Sequence, residues 1–214
     1  MKPLGKVKLE WSSEFAYAIG LIVSDGSLSK DGRHITLVSK DNEMIDNFRK
    51  CLGISNKTES HTSGHTEKKN FRIQVGDRIF YDFLVEIGLM ANKTKILKEI
   101  SIPKKYFADF LRGHFDGDGT FYSYWDPRWK SSFMYYTGFV SASRNHIEWL
   151  RGELNILCGV KGHCAEKPSG SVYQLRYAKS ESNKLIKFMY YSDNVVCLSR
   201  KHLKIRKVLD SIGE

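Results

Sequence analysis

Segments with helical and strand-like spacing of apolar residues alternate along the chain. Apolar stretches of helical length, or apolar positions three and four residues apart, predict helices. They cover residues 14–24, 42–52, 79–89, 106–117, 145–157 and 183–191. Segments rich in β-branched and aromatic residues, or with alternating polarity, predict strands at residues 34–38, 71–75, 133–140 and 172–177. The polar segment 57–69 predicts a hairpin loop.

This order of elements occurs twice, because the sequence repeats itself. Residues 18–26, AIGLIVSDG, align with residues 111–119, LRGHFDGDG, so that Asp25 and Asp118 coincide 93 residues apart. Val38-Ser39 and Val140-Ser141 then align at a separation of 102, as do the strands 71–75 and 173–177. The second half therefore holds extra residues around positions 122–136. Matches in the same order indicate a tandem duplication.

Each half reads as helix, two strands, helix, two strands, helix. We therefore predict an α+β fold of two pseudo-symmetric αββαββα halves, residues 1–98 and 99–214. Small residues recur four positions apart in both duplicated helices, at Ala16, Gly20 and Ser24 and at Gly113 and Gly117. Stripes of small side chains let helix backbones approach closely, which favours packing of these two helices at the centre of the molecule.

The charge of the chain narrows the class of partner. Thirty-four lysines and arginines against 24 aspartates and glutamates leave a net charge of +10, which favours a polyanion such as nucleic acid. No apolar run approaches the ~18–20 residues needed to span a bilayer, and the N-terminus has no secretory signal. We expect a protein of the cytoplasm, at the nucleoid, or of an organellar matrix, neither secreted nor bound to a membrane.

Asp25 and Asp118 are the candidate metal ligands. If the duplicated helices pack in parallel, both carboxylates emerge at helix C-termini, where the helix dipole disfavours negative charge. A bound divalent cation offsets this, and hard oxygen ligands select Mg²⁺. Such a site can stabilise the attacking and leaving oxygens in phosphodiester hydrolysis. A calcium loop starting at Asp116 is excluded, because Phe121 and Pro127 stand where glycine and glutamate are required.

Both nine-residue motifs resemble the LAGLIDADG motif of homing endonucleases, the second one closely. The resemblance extends over nearly the whole chain and implies a monomer in which two antiparallel sheets form a saddle over DNA. It implies a site-specific, metal-dependent endodeoxyribonuclease acting on a long asymmetric duplex of about two helical turns. The first motif departs from the family by having Val23 where an earlier acid is common.

The resemblance also implies roles for individual residues. The last acid of each motif, Asp25 and Asp118, would bind the metal ions. Lys93 and Lys201 match basic residues that lie near the scissile phosphates, and Ser39 and Ser141 match polar strand-end residues near metal-bound waters.

Other residues are candidates for DNA contact because a β-ribbon can enter the major groove. Basic residues expected on the strands could contact phosphates or guanines, or could be solvated surface charges: Lys40, Arg72, Arg78, Arg144, Arg176 and Lys179. Gln74 could read adenine or face solvent. An aromatic cluster could stack on bases, although shielding of the core edges is favoured: Tyr122, Tyr124, Trp125, Trp129, Tyr135 and Tyr136.

Two alternative functions stay open beside the endonuclease. One is an intron-encoded RNA maturase, a role of some LAGLIDADG proteins, with which retention of both aspartates agrees less well. The other is a non-cleaving DNA-binding regulator, which commonly carries an added helix-turn-helix domain for which the chain has no spare length. We do not expect an intein, because splicing segments do not flank the motifs.

Overall fold

The computed structural model describes residues 5–62, 69–129, 131–166 and 172–213. Its first half comprises α1 (Ser13–Asp25), β1 (Gly26–Leu28), β2 (His34–Ser39), α2 (Asn42–Cys51), β3 (Thr58–Thr62), β4 (Lys69–Gly76) and α3 (Arg78–Glu86). Two short 3-10 turns follow, at Lys93–Lys95 and Lys104–Tyr106. The second half comprises α4 (Phe107–Asp118), β5 (Thr120–Trp125), β6 (Phe133–Ser141), α5 (Arg144–Cys158), β7 (His163–Glu166), β8 (Tyr173–Tyr177), α6 (Lys179–Met189) and α7 (Ser199–Ser211).

The strands form two antiparallel four-stranded sheets with the same topology. The strand order is β1-β2-β4-β3 in one sheet and β5-β6-β8-β7 in the other. The pairing of Thr36 with Gln74 in the first sheet has its counterpart in the pairing of Gly138 with Arg176 in the second. The α+β class and the duplicated order of helices and strands predicted from the sequence are confirmed.

The first motif helix shows how the sequence sets its boundaries. Ser12 caps α1 by accepting a hydrogen bond from the backbone N–H of Phe15 at 3.1 Å. Gly26 ends the helix with an extended backbone, at φ −84° and ψ 159°, so a left-handed cap does not explain this glycine. A Cβ at position 26 would instead lie 2.6 Å from the Cα of Ile22. Close approach of the chain to its own helix therefore requires glycine here.

Two expectations about the secondary structure need correction. Residues 57–69 were expected to form a hairpin loop, but β3 occupies Thr58–Thr62 and pairs with β4. The sequence of this edge strand, TESHT, is polar throughout, so it lacks the apolar alternation that marks a strand. Residues 63–68 lie outside the described part. Helix α7 was not predicted, since it buries little besides Ile205.

Contacts within the chain define two compact units. Unit 1 comprises Met1–Lys93 and Ile100–Gly117, and unit 2 comprises Thr94–Glu99 and Asp118–Glu214. The units differ from the sequence halves because the second motif helix, α4, packs in unit 1 against α1. The buried core of unit 1 contains nearly the whole apolar face of α1, from Phe15 to Val23. In unit 2, residues such as Tyr135, Phe139 and Leu175 are fully buried on one face of the sheet.

The short segment Thr94–Glu99 is attached to unit 2 by the N-terminus of α5. The hydroxyl of Ser143 donates to the backbone oxygen of Leu97, and Nδ1 of His146 lies 2.8 Å from the backbone oxygen of Lys98. Over the described residues, no helix is both long and apolar enough to cross a membrane.

Candidate metal centre and nucleic-acid surface

Helices α1 and α4 are in direct backbone contact through their glycines. A Cβ at Gly20 would lie 2.2 Å from the backbone oxygen of Phe110, and one at Gly113 would lie 2.1 Å from that of Tyr17. Side-chain carbons do not approach other atoms so closely, so no larger residue fits at either position. Residues earlier in α1 contact residues earlier in α4, and later residues contact later ones. The two helices are therefore parallel.

The contact continues to the C-terminal ends of these helices. A Cβ at Gly117 would lie 1.9 Å from Oγ of Ser24 and 2.9 Å from Oδ2 of Asp25. The Ser24 hydroxyl is turned back onto its own helix and donates to the backbone oxygens of Gly20 and Leu21, both at 3.2 Å. The carboxylate of Asp25 therefore rests against the last turn of α4, in a space that exists because residue 117 has no side chain.

Each motif helix ends on its aspartate. Asp25 is the last residue of α1 and Asp118 is the last residue of α4. Both side chains are half-buried, so both remain accessible to solvent. No basic residue lies in the last turn of either helix, and the negative end of each helix dipole coincides with a carboxylate.

A lysine from a distant part of the sequence lies beside each aspartate. In unit 1, Nζ of the buried Lys93 is 3.4 Å from the backbone oxygen of Ser24, the residue before Asp25. In unit 2, Nζ of Lys201 donates to the backbone oxygen of Gly119, the residue after Asp118, at 2.7 Å. The structure thus brings each lysine named from the resemblance to the helix end of its own aspartate.

A third lysine at this place was not found from the sequence. Nζ of Lys204, one turn beyond Lys201 on α7, donates to the backbone oxygen of Phe121 at 2.7 Å. The signal that could have found it is the spacing of three residues, which puts both lysines on one side of a helix.

A buried polar pair also links α1 to α4. The Tyr17 hydroxyl donates to Oδ2 of Asp116 at 2.8 Å, and both residues are fully buried. Burial, followed by the charge of Asp116, raises the pKa of Tyr17 well above its usual value. Nearby, Arg112 and Asp109 form a buried ion pair at 2.6 Å, and the Arg112 guanidinium lies 5.7 Å from the centre of the Tyr17 ring. Val23 is buried at the position equivalent to Asp116.

The residues at the helix ends fit a hard divalent cation. Carboxylate oxygens are the ligands that Mg²⁺ prefers, and Mg²⁺ usually keeps several waters and takes only one or two carboxylates from the protein. The space beside Gly117 holds the Asp25 carboxylate at the end of α4. Among the residues that the structure describes, no cluster of three or more histidines, cysteines or acids is present. The two carboxylates at the helix ends are hard oxygen donors of the kind that bind divalent cations.

The two serines at strand ends have the same local role in both halves. Oγ of Ser39 accepts a hydrogen bond from the backbone N–H of Asp41 at 3.0 Å, and Oγ of Ser141 accepts one from Ser143 at 3.1 Å. Each serine closes the turn that leads from a strand into the next helix.

The sequence suggested that the basic candidates lie on strands, but not all of them do. Arg78, Arg144 and Lys179 are the first residues of α3, α5 and α6, and Lys40 follows the end of β2. Arg78 pairs with Asp82 at 3.7 Å, and Arg144 pairs with Glu148 at 2.7 Å. Strand patterns cannot separate the end of a strand from a helix that begins one or two residues later. Lys179 lies with its Nζ 5.8 Å from the centre of the Tyr135 ring.

The remaining candidates lie on the sheets. Gln74 is exposed and Arg72 half-buried on β4, while Arg176 is half-buried on β8. Arg72 lies 3.4 Å from the side-chain oxygen of Gln74 and 3.9 Å from the Glu59 carboxylate.

The aromatic cluster divides into groups with different environments. Tyr135 is fully buried and belongs to the core of unit 2. Trp125 and Trp129 are 60% and 69% exposed, so shielding of the core does not describe them. Tyr122, Tyr124 and Tyr136 stack on one another, with interplanar angles of 4–12°. The stacking of these tyrosines depends on strand pairing, which sequence spacing alone did not reveal.

A scan against protein-family models finds no match for this chain. Among curated proteins, the DNA-directed RNA polymerase subunit Rpo1C of Methanocaldococcus jannaschii is 29% identical over 118 residues, covering 53% of this chain and 13% of that protein. An uncharacterised protein of the same organism is 30% identical over 127 residues, covering 55% of this chain and 44% of that protein. The chain thus spans less than half the length of these relatives.

Solved structures share the fold over most of the chain. The LAGLIDADG homing endonuclease I-LtrWI, bound to target DNA, superposes with a TM-score of 0.60 at 12% identity, covering 94% of this chain and 91% of that one. Full-length WhiA from Thermatoga maritima gives 0.58 at 13%, covering 96% and 68%. I-DmoI in complex with DNA and Mn gives 0.54 at 16%, covering 84% and 97%. The chain has the fold of LAGLIDADG homing endonucleases.

Proposed function

We propose that this protein is a site-specific DNA endonuclease that hydrolyses both strands of a long asymmetric duplex with a divalent metal ion. The observation that carries the proposal is the pair of parallel motif helices in backbone contact, each of which ends on an aspartate. A DNA partner agrees with the net charge of +10 and with a fold shared with enzymes solved on DNA.

In this proposal Asp25 and Asp118 hold Mg²⁺. The metal would lower the pKa of a bound water and stabilise the developing negative charge on the leaving oxygen. The chain's own residues hold the carboxylates in position and bind the DNA phosphates. The space left by the absence of a side chain at Gly117 keeps the Asp25 carboxylate against the end of α4. Lys93 and Lys201 place an ammonium group beside each aspartate. These cations attract the scissile phosphates and balance the charge of the carboxylates.

We expect an asymmetric DNA target because the two halves of the chain differ in sequence. The sheets share topology and register, but the residues on equivalent strand positions differ, as Gln74 and Arg176 do. A monomer of this kind would read two unlike half-sites across about two helical turns.

Substitution of either aspartate tests the proposal. We expect Asp25→Asn and Asp118→Asn to abolish Mg²⁺-dependent cleavage of a duplex selected from a randomised library. DNA affinity should stay within about tenfold, because phosphate contacts dominate binding. Asp193→Asn is the control, since that carboxylate is 91% exposed and pairs with Arg206 on the surface. Undiminished cutting by either motif variant would overturn the metal assignment.

The lysines allow a separate test, because Lys204 offers a matched control. Lys201 and Lys204 each donate to a backbone oxygen at 2.7 Å from the same helix. We expect Lys93→Met and Lys201→Met to slow cleavage about 100-fold or more at unchanged metal affinity, as loss of a group that stabilises transition-state charge does. Lys204→Met should stay near the wild-type rate. Equal losses in Lys201→Met and Lys204→Met would indicate a structural role only.

A second candidate function is a DNA-binding regulator that does not cut. The observation in its favour is the similarity to full-length WhiA over 96% of this chain. The two candidates differ in one measurement: a regulator would select a duplex from the library in EDTA and would leave that duplex intact in Mg²⁺ or Mn²⁺.

A further inference from the structure

One corner of each sheet has the same backbone arrangement but different side chains. In unit 2, Tyr122 on β5 pairs with Tyr136 on β6. In unit 1, the backbone N–H of Ser29 donates to the oxygen of His34, just beyond the pairing of Leu28 with Ile35. Ser29 and His34 therefore occupy the places that Tyr122 and Tyr136 occupy in the other sheet. Because the sequence is duplicated, each of these positions in one sheet has an equivalent position in the other.

The three tyrosines of unit 2 form what we call the tyrosine patch: Tyr122, Tyr124 and Tyr136. Their ring centres are 5.2, 6.2 and 6.5 Å apart. A base inserted between two rings would need about 6.8 Å, twice the 3.4 Å rise of stacked bases. The rings are therefore too close to one another to clamp a base. Side chains stand perpendicular to a sheet, so the patch presents ring edges and hydroxyls outward.

The patch has free outer edges and basic neighbours. Tyr124 is 41% exposed, and a hydrogen bond between the Tyr124 and Tyr136 hydroxyls raises the pKa of Tyr136. The three tyrosines line an open groove of about 400 Å³. The groove is also lined by the basic side chains of Lys161 and Arg176 and by Gly162, His163, Ala178 and Glu181.

Arg176 differs from its counterpart in unit 1. Within the described part of the chain, no carboxylate pairs with Arg176, and its buried Nε has no hydrogen-bond partner. At the equivalent position of β4 stands Gln74, whose side chain contacts Arg72, which in turn lies near Glu59. The Ser29 and His34 corner of unit 1 is also internally satisfied, because the His34 ring hydrogen-bonds with the Asp31 carboxylate.

We propose that the tyrosine patch and Arg176 form the base-reading surface of the second half-site, with Arg176 selecting guanine and the tyrosine edges selecting adjacent thymines. The inference rests on the proposed function, since it requires that the sheets contact duplex DNA. A guanidinium matches O6 and N7 of guanine in the major groove, and apolar ring edges match the thymine methyl. Arg176 and Tyr136 are diagonal neighbours across β6 and β8, about 7–8 Å apart, which corresponds to roughly two base-pair steps of 3.4 Å.

The experiment is a binding selection from a randomised duplex library in EDTA, so that cleavage is not needed. The variants carry the residues of the equivalent positions in unit 1: Tyr122→Ser with Tyr136→His, and Arg176→Gln. A third variant, Tyr122→Phe with Tyr124→Phe and Tyr136→Phe, keeps the ring edges and removes the hydroxyls. Circular dichroism verifies that each variant is folded, and His34→Ala serves as the matched change in unit 1.

We expect the Ser/His variant to lose thymine selection at neighbouring positions of one half-site, where the wild type prefers thymine roughly 5- to 150-fold, the range for one mismatched base pair. The all-Phe variant should keep that selection. Arg176→Gln should shift one position from guanine to adenine, because glutamine matches N6 and N7 of adenine. His34→Ala should leave these positions unchanged.

The outcomes separate the two proposals. If the wild type selects no duplex at all, the proposed function fails. If the wild type selects a defined site but the Ser/His and Arg176→Gln variants select the same site, the sheet still binds DNA and the assignment of these readers is wrong. Loss of thymine selection in the all-Phe variant would show that the hydroxyls read the bases, which contradicts selection by ring edges.

Discussion

Gly117 occupies a position at which a single methyl group would collide with the side chains of Ser24 and Asp25. An alanine Cβ would lie 1.9 Å from Oγ of Ser24 and 2.9 Å from Oδ2 of Asp25. We expect Gly117→Ala to destabilise the protein by about 1–3 kcal/mol, the usual cost of overpacking, and to impair cleavage because Asp25 must move. Urea unfolding and a cleavage assay measure the two effects.

Gly152 supplies the control for that change. It is exposed in α5, and a Cβ there would meet nothing within 4 Å. Gly152→Ala should be neutral or stabilise the helix by about 0.5–1 kcal/mol, since alanine loses less backbone entropy on folding. Equal stability of the two variants would mean that α1 and α4 are not packed as tightly as their distances indicate.

The hydrogen bond from Tyr17 to Asp116 gives the stability a defined dependence on pH. Burial and the charge of Asp116 raise the pKa of Tyr17 in the folded state. Because the folded pKa exceeds the unfolded value of about 10, this stabilisation is complete below pH ~10 and is lost as the pH rises towards the folded pKa. Tyr17→Phe should cost about 1–3 kcal/mol near pH 8.

The cost of Tyr17→Phe should then shrink as the pH rises above 10. Urea unfolding of both proteins between pH 8 and 11 gives the difference directly, and the difference removes the contributions of other titrating groups. Tyr191→Phe is the control, since Tyr191 is 54% exposed. A cost that stays constant or grows over this range would contradict the assignment.

Among the elements, α1 and α5 begin with serine caps that have different additional contacts. The Ser12 hydroxyl accepts a hydrogen bond from the Phe15 backbone N–H. Ser143 accepts from the His146 backbone and also donates to the Leu97 oxygen, so it holds Thr94–Glu99 to unit 2. Ser12→Ala should cost about 1 kcal/mol. Ser143→Ala should cost more, because it also leaves the Leu97 oxygen without its donor.

Amide hydrogen exchange distinguishes the two changes. We expect faster exchange across residues 94–99 in Ser143→Ala and unchanged exchange there in Ser12→Ala. Similar exchange in both variants would mean that His146, whose Nδ1 lies 2.8 Å from the Lys98 oxygen, is sufficient to hold the segment.

The duplicated elements could be predicted from the sequence because each carries its own periodic pattern. The helix 14–24 was expected and α1 spans Ser13–Asp25; the strand 133–140 was expected and β6 spans Phe133–Ser141. Solvent-facing elements could not be predicted in the same way. The edge strand β3 is polar along its whole sequence and the basic helix α7 buries little besides Ile205, so neither leaves a periodic apolar signal.

Of the residues at the candidate site, the sequence likewise predicted some and missed others. The sequence placed Asp25 and Asp118 at helix ends, because the motif is local. It did not reveal Lys204, the Tyr17–Asp116 pair or the stacking within the tyrosine patch, since these depend on contacts between segments distant in the chain. Side-chain pairing across strands is set by register, which residue spacing within one strand does not specify.

At the scale of the whole molecule, the net charge of +10 determines how binding should respond to salt. A protein that neutralises phosphates releases counterions, so log affinity for duplex DNA should fall linearly with log salt concentration. Lys40 is exposed directly after β2. We expect Lys40→Gln to weaken binding to all sequences about equally and to reduce the salt slope by about one, as loss of one phosphate contact does.

Lys8→Gln is the matched control, because the Lys8 side chain is also exposed, at 79%, but pairs with Glu10 at 2.6 Å. Fluorescence anisotropy of a labelled duplex between 50 and 200 mM NaCl, roughly the range over which such contacts dominate, measures both slopes. Lys8→Gln should leave the slope unchanged. A flat salt response of the wild type would remove the electrostatic case for a nucleic-acid partner, whereas a steep slope that Lys40→Gln does not alter would place the phosphate contacts on other residues.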